Sequence, residues 1–165
     1  MKKLVFIFSF LTALSFAGVV QAQVRDVAID AKHYPNPIFR KCVQENFDTN
    51  KDGVLSRSEA DAVKWIYVKK YDYALDSEKE LHYLTRSENI YSLKGIEYFS
   101  ELTELYCSGN QLTTLDVSKN TKLEKLDCWG NQLTTLDLSK NTKLEFLWCD
   151  TNLEVIGYSG YRNRI

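Results

Sequence analysis

Residues 102–122, LTELYCSGNQLTTLDVSKNTK, and residues 123–143, LEKLDCWGNQLTTLDLSKNTK, overlay at a spacing of 21 with most positions identical. A third copy begins at Leu144 as LEFLWCDTNLEVI and drops one residue after Cys149. A degenerate copy, LHYLTRSENIYSLKGIEYFSE, occupies residues 81–101. The units are therefore 81–101, 102–122, 123–143 and 144–156, with the skeleton L-x-x-L-x-C-x-x-N-x-L-x-x-L. Such a unit cannot bury its apolar side alone, so each copy must close its core against its neighbours.

Leu105, Cys107, Leu126, Cys128, Leu147 and Cys149 alternate with non-core residues, the period of a short strand with one buried face. Stacking the coils pairs those strands into a parallel sheet. This is the leucine-rich-repeat pattern with Cys in the third apolar slot. The fold class it predicts is an α/β solenoid, a short right-handed coil with parallel strands. Asn110, Asn131 and Asn152, with Asn89 before them, fall where the chain must turn, and their side chains are expected to hydrogen-bond the bent backbone. Cys107, Cys128 and Cys149 share one coil position with side chains pointing the same way, whereas a disulfide needs converging Cβ atoms. They read as buried free thiols, and Cys42 as core.

A chain of 165 residues is one modest domain, or a cap plus a domain. Its net charge of −1 gives no footing for a nucleic-acid or anionic-membrane partner. The N-terminus, MKKLVFIFSFLTALSFAGVVQAQ, has a basic start at Lys2-Lys3, an apolar run from Leu4 to Phe16, and small residues at Val20 and Ala22. This predicts a signal peptide over 1–22 cleaved after Ala22, with no membrane span afterwards. Removing it takes two lysines and no acid, so the exported chain carries −3. Secretion, the periplasm and the cell surface all remain open as destinations.

Residues 23–70 read as a helical N-cap. Asn36-Pro37 marks a helix start, and Ile38, Phe39, Cys42, Val43 and Phe47 follow at helical spacing. The helix runs into DTNKDGVLSRSE, residues 48–59, which matches the calcium-loop pattern D-x-[DN]-x-[DN]-G-x₅-E at every required position. Asp48, Asn50 and Asp52 would supply hard oxygen ligands, Gly53 the sharp turn, Val54 a backbone carbonyl, Ser56 a ligand or bridging water, and Glu59 a bidentate carboxylate for Ca²⁺. Ser56-x-x-Glu59 also fits a capping box, so a merely capped polar turn is the competing reading.

A second helix is expected from Ser58, with Ala60, Val63, Ile66 and Tyr67 inward and Trp65 beside them. It fades at Lys69-Lys70 into a charged connection over 71–80. No second calcium loop follows, so the lone EF-hand-like unit must rest on the adjacent first coil. Across roughly residues 35–156 the chain resembles secreted bacterial leucine-rich-repeat proteins with repeats close to LDCSNNQLTSLDVSKNT and an EF-hand-like helix pair before a segment like Ser92 to Phe99, SLKGIEYF. The resemblance implies a right-handed solenoid, export, and binding rather than catalysis. Three features depart from it: Arg86 in an apolar slot, the missing Gln between Asn152 and Leu153, and the shortness of the array.

Alternation places Tyr83, Glu104, Tyr106, Lys125, Asp127, Trp129, Phe146, Trp148 and Asp150 on the open face of the sheet. Several large aromatics on one face predict a recognition platform for a protein or glycan, with Tyr83, Tyr106, Trp129, Phe146 and Trp148 as contacts. Alternatively, the tyrosines of the tail, residues 157–165, cover Phe146 and Trp148. The chain has no G-x-S-x-G, no H-E-x-x-H and no Gly-rich phosphate loop, so an enzyme is not expected. The function predicted is a monomeric interaction module with a structural calcium site. The alternatives are a calcium-responsive sensor or a secreted enzyme of unrecognised class.

Overall fold

The computed structural model describes residues 26–69 and 89–164. The expected signal peptide, the connection 71–80, Tyr83 and Arg86 lie outside them. The first half contains β1 (Val27–Ala28), α1 (Pro37–Asn46), β2 (Val54–Leu55), α2 (Arg57–Ala62) and β3 (Trp65–Tyr67). A single 3-10 turn, Ile96–Tyr98, leads to β4 (Glu104–Tyr106), β5 (Lys125–Asp127), β6 (Thr135–Asp137), β7 (Phe146–Cys149), β8 (Glu154–Ile156) and β9 (Tyr161–Arg164).

Identical spacing puts identical side chains side by side. In the parallel sheet Leu105, Leu126 and Leu147 are register partners across β4, β5 and β7, and all three are fully buried. Cys107, Cys128 and Cys149 follow one slot later, all buried and none in a disulfide. Burial pushes the Cys128 thiol well above its ordinary pKa. The Asn at the turn works as expected in two coils. Asn131 Nδ2 donates to the carbonyls of Cys107 (3.0 Å) and Cys128 (2.9 Å), while its Oδ1 accepts from the Leu112 amide. Asn110 does the same one coil earlier, reaching Val68 and Cys107 and accepting from Ile90.

Two members of the expected Asn ladder behave otherwise. Asn152 is exposed to solvent. In this coil Asp150 reaches the preceding turn instead, its carboxylate accepting the amides of Gly130 at 3.1 Å and Asn131 at 3.4 Å. Asn89 has a buried Oδ1 without a hydrogen-bond partner. A second ladder runs along the opposite turn. Asn120 Nδ2 donates to Ile96 and Phe99, and Asn141 Nδ2 to Val117 and Asn120, all at 2.9 Å. Close by, β6 and β8 form a short parallel pair.

The sheet order is β3-β4-β5-β7-β9, so it gains a strand at each end that the repeats do not supply. The second helix, expected from Ser58 and fading at Lys69-Lys70, is corrected here: α2 ends at Ala62, and Trp65–Tyr67 is instead the edge strand of the main sheet, parallel to β4. Val63, Ile66 and Val68 take the slots of Leu102, Leu105 and Cys107, and all three are buried. At the far end the tail forms β9 beside β7, with Tyr161 opposite Phe146 and Asn163 opposite Trp148. It lengthens the sheet rather than roofing it, and Phe146 remains 39% exposed.

Helix α1 of the cap begins at Asn36, whose Oδ1 accepts the amides of Ile38 and Phe39 while Pro37 occupies the first turn, where no N–H is needed. Phe39, Cys42 and Val43 form its buried face. The cap docks on residues 93–99 of the first coil. Phe47 meets Phe99 edge-on at 5.4 Å, and Tyr34 meets Tyr98 at 5.9 Å. Cap and coils share one continuous core, from Val27 to Leu153.

Candidate functional site

Two places concentrate polar or aromatic chemistry. The first is the segment of residues 48–59, which runs from the end of α1 into the first turn of α2. Gly53 has φ +79° with open space where a Cβ would stand, the turn a glycine makes without strain. Asp48 is buried, its carboxylate accepting the amides of Asp52 (3.1 Å) and Gly53 (2.9 Å). Among the described residues no cation pairs with it. Asn50 Nδ2 donates to Asp52 Oδ2 at 2.9 Å, so positions three and five of the loop are adjacent. Val54 enters β2, which pairs antiparallel with β1, so that lead segment supports the loop.

Both carboxylate oxygens of Glu59, at position twelve, are engaged by hydrogen bonds. Its Oε1 accepts from the amide (2.8 Å) and hydroxyl (2.7 Å) of Thr49, and its Oε2 from the amide (2.9 Å) and hydroxyl (2.7 Å) of Ser56. With Ser56 it forms a full capping box on α2. Partial burial raises its pKa, but the bonds from Ser56 and Thr49 outweigh this and bring the carboxyl down to about 2. Among the described residues no set of three acidic, His or Cys groups converges as a metal cluster. The donor set is all oxygen and suits a hard cation. Holding one would require Glu59 to leave Thr49 and Ser56.

The second place is the open face of the sheet. Register sets Trp65, Glu104, Lys125, Phe146 and Tyr161 in one row, and Tyr67, Tyr106, Asp127, Trp148 and Asn163 in the next. Tyr67 and Tyr106 stack at 4.2 Å, and Phe146 and Trp148 stack at 5.9 Å. These aromatic ridges flank the polar side chains of β5. Lys125 pairs with Glu104 at 3.1 Å, and Lys69 with Asp127 at 2.7 Å. Asp127, expected in the open, is only 8% exposed. Trp129 follows the end of β5 and is half-buried. Trp65, Tyr67 and Lys69 were not anticipated, although Val63-x-x-Ile66-x-Val68 has the spacing of Leu102-x-x-Leu105-x-Cys107.

Comparison with known proteins agrees with this architecture. The family model for leucine-rich repeats in two copies matches residues 100–140. No curated protein sequence matches the chain. Among solved structures, an internalin (inlF) from Listeria monocytogenes superposes with TM-score 0.60 at 20% identity, over 82% of this chain and 35% of that one. The functional domain of InlJ from Listeria monocytogenes, whose description includes a cysteine ladder, gives TM-score 0.60 at 27% identity, over 79% and 25% of the two chains. An internalin C2 (inlC2) from the same organism gives 0.52 at 18% identity, over 87% and 70%. The chain thus spans about a third of the first internalin and a quarter of the InlJ domain. Its core is a leucine-rich-repeat fold with parallel strands. No helix among the described residues is long and apolar enough to cross a membrane.

Proposed function

We propose that this chain is an exported, non-enzymatic module that holds a protein partner on the open face of its sheet, with a calcium ion in loop 48–59 stabilising the cap. The observation that carries the binding reading is the pairing of Phe146 and Trp148 as stacked rings, Phe146 39% exposed, on a face where Lys69 pairs with Asp127 and Lys125 with Glu104. Aromatic anchors over a neutral floor suit an interface core, where charged residues are depleted. Similarity to internalins supports the fold on which such a face is built. Export is supported by the signal-peptide pattern of residues 1–22, and calcium by the complete loop pattern and its all-oxygen donor set. Docking of the cap through Phe47–Phe99 and Tyr34–Tyr98 favours a structural ion over a sensor that opens.

Affinity capture with protein starting at Gln23 from its native surroundings, followed by calorimetry, tests the reading. Trp148→Ala or Trp129→Ala should weaken the captured protein about thirtyfold, the effect of losing about 2 kcal/mol at a hot spot. Unchanged affinity in both variants rejects the sheet face as the interface. Binding confined to a glycan array would replace the protein partner with a sugar.

A further inference from the structure

The sheet face already holds one cation. Lys69 Nζ lies 2.7 Å from Asp127 Oδ2 and 4.9 Å from the centre of the Tyr106 ring. The same ring is stacked on Tyr67. Ser108 Oγ donates to the same Asp127 oxygen at 3.1 Å, and the Trp129 amide approaches Asp127 Oδ1 at 3.4 Å. A carboxylate and an aromatic face within reach of one ammonium are the two elements that recognise a desolvated cation. The seat comes from consecutive repeat strands, Tyr106 on β4 and Asp127 on β5. The ammonium comes from outside the repeats, on the residue that follows Val68, and reaches across β4 to find it.

We propose that the Tyr106–Asp127 position is a lysine-recognition subsite of the partner-binding face, filled in cis by Lys69 until a lysine side chain of the partner replaces it. The proposal rests on the sheet-face reading above and assigns its chemistry. A buried carboxylate is costly without a countercharge, so the seat favours exchange of one ammonium for another over being emptied. Lys125 pairs with Glu104, and Asp150 is held by the amides of Gly130 and Asn131, so the Asp127 seat, with its aromatic face, is where a partner's ammonium gains a specific contact. Trp148, the register partner of Asp127, stands beside the seat for the aliphatic stem of the incoming residue.

Lys69 competes for its own seat, so its removal should tighten an external lysine. If Lys69 fills the seat nine-tenths of the time, the apparent affinity of a competitor falls about tenfold. The probe is Nα-acetyl-lysine methylamide, with the norleucine analogue as control, titrated against the folded chain while the indole N–H signals of Trp129 and Trp148 are followed by NMR. Lys69→Met should bind the lysine probe about tenfold more tightly than wild type and ignore the norleucine control. Adding Asp127→Asn should abolish the gain. Should Lys69→Met fail to fold, Lys69→Gln, which keeps a donor toward Asp127, must show the tightening instead. Equal affinity of wild type and the folded Lys69 variant, or equal response to both probes, overturns the subsite. That outcome is distinct from failure of the sheet face itself, which the tryptophan substitutions report.

Discussion

Asn110 donates through Nδ2 to the carbonyl of Val68 at 2.6 Å, across 42 residues of sequence. The bond joins the strand that follows the helical cap to the first complete repeat. The same side chain accepts the Ile90 amide at 3.1 Å, so one carboxamide ties three segments of the first two coils.

Removing it leaves the Val68 carbonyl and the Ile90 amide buried without that partner, at about 1–3 kcal/mol for each such group. Asn110→Ala should therefore lower stability by about 3 kcal/mol in urea denaturation. Asn131→Ala should cost less, because Asn131 is only half-buried and water can replace it. Equal losses at both positions would contradict the special place of the first seam.

Gly95 and Tyr34 form a further contact, between the cap and the first coil. Gly95 has φ +105°, and a Cβ built on it would lie 2.2 Å from the Tyr34 ring, which is fully buried. Gly95→Ala should cost about 2–5 kcal/mol, combining left-handed strain with overpacking. In the Tyr34→Leu background the penalty should shrink, because the ring edge is gone. A double-mutant cycle in denaturant measures this coupling.

The repeats were legible because neighbours 21 apart place like on like, and Leu, Cys and Asn at fixed slots have one job each. The end strands were not. Ala60, Val63, Ile66 and Tyr67 fit a helical face, while Val63, Ile66 and Val68 fit a coil. Short apolar runs do not separate those two periods. The aromatic and β-branched Trp65-Ile66-Tyr67 leaned toward strand, and the α2 cap at Ser56 pulled the reading toward helix. Asn120 and Asn141 repeat as strictly as Asn110 and Asn131, yet the second ladder passed unread because exposed-looking SKNTK sequences suggest a solvated turn. At the candidate loop the oxygen pattern was legible, but the orientation of Glu59 depends on which of two partners its carboxylate meets.

The buried thiols give a chemical prediction. Cys107 and Cys128 are held above the ordinary thiol range by burial, so little thiolate exists at neutral pH. Alkylation of Cys107, Cys128 and Cys149 should be absent in folded protein and complete after denaturation. Recovery of a peptide cross-linked through any two of them would contradict free thiols.

Glu59 should impose a pH dependence in chelator. Its folded pKa of about 2 lies below the ordinary value of 4.5, so its contribution is fully present above about 4.5. That contribution is lost as pH falls from 4.5 toward 2. Glu59→Gln should flatten the melting temperature in that window and leave its slope near neutrality unchanged. A wild-type slope identical to that of Glu59→Gln between pH 2 and 4.5 would show that the Thr49 and Ser56 bonds do not form in solution.

The proposed calcium ion would have to compete with the bonds just named. Glu59 can ligate an ion only by leaving Thr49 and Ser56, which weakens binding by whatever that capped state is worth. An affinity on the order of 10⁻⁴–10⁻³ M, as in extracellular modules, is then sufficient where calcium is abundant. At a concentration about one to ten times the dissociation constant, linkage stabilises the folded chain by roughly 0.4–1.4 kcal/mol. The melting temperature should rise by a few degrees in calcium. Asp48→Ala and Glu59→Ala should lose the rise, and magnesium should substitute poorly because the loop is a flexible cage of many oxygens. Thr49→Val removes one bond that holds Glu59 away, so it should bind calcium more tightly while being less stable in chelator. Lanthanide luminescence and thermal melts read both quantities. No calcium response in wild type would reduce the loop to a capped turn, whereas a response that Thr49→Val leaves unchanged would show that Glu59 is free to ligate without cost.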